Sequence, residues 1–156
     1  MDLVIIAYFC TDKTADTMKI VRNRFIPSKN FAAINLFGIL FCHPNTVVTA
    51  DMVNHERIHT RQMLEMCIIF FYLWYVTEWV VRLFLKGDAY MNLSFEREAY
   101  LYENDFEYLK HRPLFAWWPL RKRENWIAQK NNQQSIHNDE RKRHDATARE
   151  RIPGVE

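Results

Sequence analysis

Until about residue 120 the chain sets short apolar runs between polar breaks, and each run has the period or length of a recognisable element. Lys19 to Ile26 carries β-branched and aromatic residues as far as Pro27, where a ladder would lose a donor, and it predicts a strand. After the polar turn Pro27-Ser28-Lys29-Asn30, the almost wholly apolar run from Phe31 to Phe41 predicts a second strand, kinked at Gly38, that pairs with the first as a hairpin. His43-Pro44-Asn45 ends it. Thr46 to Asp51 then supplies helix-start signals: Thr49 suits an N-cap, and Asp51 places an anion where the macrodipole favours one. The predicted helix runs toward Met66 with Met52, His55, His59 and Met63 along one side.

Cys67 to Leu85 is the longest apolar run, and as a helix it would reach roughly 28 Å, about the hydrocarbon thickness of a bilayer. Glu78 and Arg82 fall in its second half at pairing distance, and its tyrosines and tryptophans suit an interface better than a lipid core. A core helix, an interfacial helix and a span therefore all remain open. Lys86-Gly87-Asp88 breaks it, and Asn92 or Ser94 can cap the next helix, Phe95 to Leu109, whose packing stripe is Phe95, Ala99, Tyr102, Phe106 and Leu109. His111-Arg112-Pro113 terminates that helix, and Phe115 to Leu120 is expected to fold back as an aromatic lid. The whole predicts a mostly helical α+β fold: an N-terminal β-hairpin packed on three helices.

Composition narrows this further. At 156 residues the chain is one domain. The expected division is an arm over 1–17, a domain over 18–120, and a polar tail over 121–156 that is disordered or at best a frayed helix. The net charge of +2 owes its basic excess to that tail, so no nucleic-acid site is inferred. Cys10, Cys42 and Cys67 form no CxxC pair, which indicates neither a disulfide framework nor a cysteine zinc site and fits a reducing compartment. The apolar opening Met1 to Cys10 lacks the basic region and cleavage site of a signal peptide, so a cytoplasmic or membrane-associated location is expected.

The chemistry concentrates in His55-Glu56-Arg57-Ile58-His59, an HExxH sequence. On a helix His55 and His59 are neighbours that can share one metal, while Glu56, rotated by about 100°, can reach a metal-bound water. Two imidazoles hold zinc weakly, so a third ligand is needed, with the fourth position left for water. The obvious source is Phe95-Glu96-Arg97-Glu98-Ala99-Tyr100, and helix phase alone leaves both Glu96 and Glu98 open.

These two motifs resemble those of the glutamate-zincin metallopeptidases, in which a helix bearing E-x-x-A-D follows the HExxH helix and its glutamate is the third zinc ligand. Matching the alanine to Ala99 implies Glu96 as that ligand, and Tyr100 then stands where the family has an aspartate that orients a histidine ligand. The resemblance implies a zinc hydrolase acting on a peptide or protein, with zinc on His55, His59 and Glu96 and with Glu56 shuttling the proton. It further implies an edge strand, Ile34 to Phe41, along which substrate lies, and an oxyanion stabiliser among His111, Arg112, Tyr100 and Tyr102. Two other classes stay open: a zincin-like protein that binds metal or a partner without cleaving, and a small interaction protein that contacts a membrane surface through Cys67 to Leu85.

Overall fold

The computed structural model describes residues 18–27 and 31–150, so the arm expected over 1–17 and the tip of the first turn lie outside the described residues. The fold is α+β and mostly helical: a three-stranded sheet followed by five helices. Strands β1 (Lys19–Arg22), β2 (Ala33–Leu36) and β3 (Ile39–Cys42) lie in the order β1-β3-β2. The hairpin is not the expected one. The run Phe31 to Phe41 divides into two strands, and β2 and β3 pair antiparallel with Leu36 opposite Ile39. Gly38 is thus a turn and not a kink. Phe37 and Gly38 both have positive φ, 55° and 80°, as a two-residue turn matched to the strand twist requires. β1 pairs parallel to β3, with Lys19 opposite Ile39, and ends at Arg22, whose guanidinium donates to the carbonyls of Pro44 and Thr46.

Helix α1 (Ala50–Glu65) starts after Thr49, which occupies the N-cap position without capping through its side chain. Its inward face mixes Ile58 and Met63 with Asn54, His55, His59 and Gln62, so this face needs polar partners to be stable. Cys67 and Ile68, both at positive φ, then turn the chain by 111° into α2 (Ile69–Leu83). Among the described residues no single helix is long and apolar enough to cross a membrane; α1 and α2 meet that test only together, across the bend.

Helix α3 (Ser94–Tyr102) is capped by α2 and not by Asn92 or Ser94 at the N-cap position: the Glu78 carboxylate accepts from the Ser94 backbone N–H at 3.2 Å and from its hydroxyl at 2.5 Å. That anion sits at the positive end of α3 and pins the two helices together. The expected helix over 95–109 stops at Tyr102 because Asn54 of α1 donates its amide to the carbonyls of Tyr102, Glu103 and Asp105. A short helix α4 (Tyr108–His111) follows, leaving Phe106 exposed and off the packing stripe.

The aromatic segment folds back as expected. Trp117 is buried with its ring 4.5 Å from that of Phe95, joining Met63 and Phe71 in the main cluster, while Ile58, Ala99 and Tyr108 form a smaller one. A 3-10 turn (Pro119–Arg121) leads to α5 (Arg123–Glu150), a helix where the sequence favours a disordered tail. Its start is anchored by Trp126, 5.2 Å from the Arg97 guanidinium.

Candidate metal centre

One turn of α1 brings His55 and His59 together in the interior, with their Nε2 atoms 3.2 Å apart. The outer nitrogen of each ring has an acceptor. His55 Nδ1 lies 3.1 Å from the Glu103 carboxylate, and His59 Nδ1 lies 2.7 Å from Gln62 Oε1. The Gln62 amide has no freedom to turn, because its nitrogen donates to Glu98 Oε2 and to the Phe95 carbonyl, neither of which can donate in return. In their neutral forms both rings are thereby held with the proton on Nδ1, and both Nε2 lone pairs turn toward each other.

The first turn of α3 adds Glu96. Its Oε1 lies 3.4 Å from His59 Nε2 and its Oε2 3.4 Å from His55 Nε2. Tyr75 of α2 donates to Oε1 at 2.8 Å, whereas the buried Oε2 has no hydrogen-bond partner among the described residues. Three acceptors converge with no donor between them, an arrangement that needs a cation or a proton. In a tetrahedral zinc site with bonds of about 2.0–2.1 Å, neighbouring ligand atoms stand about 3.3 Å apart. The two Nε2 atoms, 3.2 Å apart, stand at that spacing, and the Glu96 carboxylate straddles them with one oxygen 3.4 Å from each, so His55, His59 and Glu96 can hold a metal ion.

The electrostatics agree. Burial pulls the His59 imidazolium down, but the Glu96 carboxylate outweighs it and the imidazole rises to about 9. Burial pushes Glu96 up, but His59 and His55 outweigh it and hold the carboxyl well below its usual range. Glu56, on the neighbouring face of α1, is raised by burial against the pull of His59 and His55.

Glu56, His59 and Glu96 line a cleft of about 690 Å³. Its walls are apolar, from Ile34 and Leu36 of β2 to Met63, Phe71, Val76 and Trp79 of the helices. The strand is tied to the site by Asn35, which donates to the Glu56 carbonyl at 2.7 Å and to Thr60 Oγ1 at 2.9 Å. Of the expected substrate strand, then, β2 is the sheet edge at the cleft, while β3 is the central strand with no free edge.

Glu98 belongs elsewhere. Two residues along a helix is a rotation of about 200°, so it faces away from the histidines. There it is clamped by Arg112, Tyr108 and Gln62, and Arg112 also pairs with Glu65. That clamp removes Arg112 from the oxyanion candidates. Tyr102 is stacked on Tyr108 at 3.7 Å and His111 packs against the same ring, so neither is at the centre. Tyr100 remains, its ring 4.6 Å from that of His55.

Tyr75 and Tyr90 are additions that sequence reasoning missed: burial and then the Glu96 charge push both hydroxyls up, so they stay protonated and able to donate. Glu103 is another. It holds His55 Nδ1 from one turn beyond Tyr100. No family model, curated protein or solved structure matches this chain.

Proposed function

We propose that this protein is a zinc-dependent hydrolase of glutamate-zincin type that cleaves peptide bonds. The observation that carries the reading is the convergence of His55 Nε2, His59 Nε2 and the Glu96 carboxylate at 3.2–3.4 Å, with Glu56 beside them on a 690 Å³ cleft. Zinc bound there would lower the pKa of a water and polarise a carbonyl.

The chain's own groups do the rest. Glu56 takes a proton from the water and returns it to the leaving amine, and its raised pKa suits a group that must hold a proton part of the time. Tyr100 keeps its proton beside His55 and is available to a developing oxyanion, while the Tyr90 hydroxyl is engaged by Glu96 and Tyr100. Glu103 and Gln62 keep the histidine lone pairs turned inward. β2 offers an edge for an extended polypeptide, and the apolar walls exclude water from the bond to be broken.

Metal analysis of the purified protein and its variants tests this. About one zinc per chain is expected, lost in His55→Ala, His59→Ala and Glu96→Ala. Glu56→Gln should retain zinc and lower the cleavage of a peptide library by about 10²–10⁴-fold. Zinc content unchanged by the histidine substitutions would overturn the metal centre; zinc bound without any cleavage would make this a non-catalytic metal-binding protein.

A further inference from the structure

Helix α2 has an apolar face that no other described part of the chain covers. Ile69, Leu73, Val76, Val80 and Leu83 follow one another at helical spacing with Phe70 beside them, and these six are 41–75% exposed. Monomeric proteins rarely leave so continuous a patch bare. Within this helix only Phe71 is fully buried, and Glu78, its one carboxylate, is turned inward to Arg82 and Ser94.

Two observations indicate the occupant. The stripe is also a rim of the cleft, since Val76 and Trp79 line the cleft while remaining 54% and 42% exposed. A second copy seated on that face would shut the cleft, whereas a bilayer can feed it. Arg121 and two tryptophans stand beside the helix, joined to it through Arg82, whose own charge is paired with Glu78. Arg82 donates to the Arg121 carbonyl, and the Arg121 guanidinium lies 3.3 Å from the Trp118 ring and 5.8 Å from that of Trp74. Exposed Lys122 and Arg123 follow directly, and exposed Lys86 lies just past the end of the helix. An apolar stripe bordered by tryptophan and basic side chains matches a helix lying in the headgroup layer of a negatively charged membrane.

We propose that α2 docks along its length on an anionic bilayer surface, with the cleft opening against the lipid. Resting on the hydrolase reading above, the substrate is then an apolar polypeptide segment reached from that surface.

Flotation of the full chain with vesicles of phosphatidylcholine, with and without phosphatidylglycerol, tests the docking. The protein is expected to float with the anionic vesicles and to release with salt. Leu73→Glu with Val80→Glu, neither of which lines the cleft, should cut partition at least about tenfold while leaving zinc content unchanged. Lys86→Glu with Lys122→Glu should weaken binding to anionic vesicles alone. His59→Ala should lose zinc and still float, which separates failure of the metal centre from failure of the docking.

The proposal is overturned if the wild-type chain does not float, or if the double glutamate variant floats equally well. It is also overturned if sedimentation shows a dimer that this variant dissociates, which would make a second copy the occupant. A chain that floats only after Ile5→Asp with Ile6→Asp would overturn it too, assigning the face to the N-terminal segment.

Discussion

Gln62 shows how much of the proposed metal centre depends on a residue that never faces it. Its carbonyl oxygen orients His59 while its nitrogen is held by Glu98 and the Phe95 carbonyl, so Gln62→Leu removes one side of three buried hydrogen bonds. We expect a loss of about 1–3 kcal/mol in urea denaturation. Zinc affinity, read by competition with a chelator, should fall about 10–100-fold. Unchanged affinity would mean that His59 keeps its tautomer unaided. Nothing in the sequence marks this glutamine. HExxH and the second glutamate motif name themselves by spacing along a helix, but Gln62, Glu103 and Asn35 act across elements, and their roles exist only once α1, α3 and β2 are packed.

At the level of elements, the turn Phe37-Gly38 decides the sheet. A Cβ at Gly38 would meet Thr60 Cγ2 at 3.4 Å, an ordinary contact, so the cost of Gly38→Ala is that of the backbone at φ 80°. A loss of about 1–2 kcal/mol is expected from chemical denaturation. A neutral result would mean that the hairpin does not use this turn. Helices α1 to α3 are legible from the period of their packing faces and from their start signals, whereas the polar α5 carries no such pattern. The hairpin is not legible because its turn interrupts an apolar run with phenylalanine in place of asparagine or aspartate, and nothing polar announces the reversal. The premature end of α3 was hidden for a different reason, since the amide that stops it belongs to Asn54, far earlier in the chain.

For the molecule as a whole, the His55-His59-Glu96 cluster makes stability depend on pH in a way that a bound metal should reverse. In metal-free protein the His59 imidazole sits near 9 against an ordinary 6.5, so its contribution is complete below 6.5 and is lost as pH rises through 9. Glu96 is shifted the other way, so its contribution is present above 4.5 and is lost on acidification. Thermal melts in chelator should therefore peak between these values and decline toward pH 9. Added zinc should raise the melting temperature more as pH increases, because it needs the imidazoles neutral. A zinc-induced shift that shrinks toward alkaline pH would contradict the site. The bend between α1 and α2 bears on a different property of the same chain. Cys67 and the β-branched Ile68 hold positive φ of 51° and 57°, Ile68 with ψ −58°, conformations that side chains resist, with the Ile68 N–H bound to the Met63 carbonyl at 2.7 Å. Straightened, the two helices would make one long rod whose greasy half could be threaded end-on through a lipid sheet; the elbow divides that rod into two pieces, neither of which has the length and apolarity for such a passage alone.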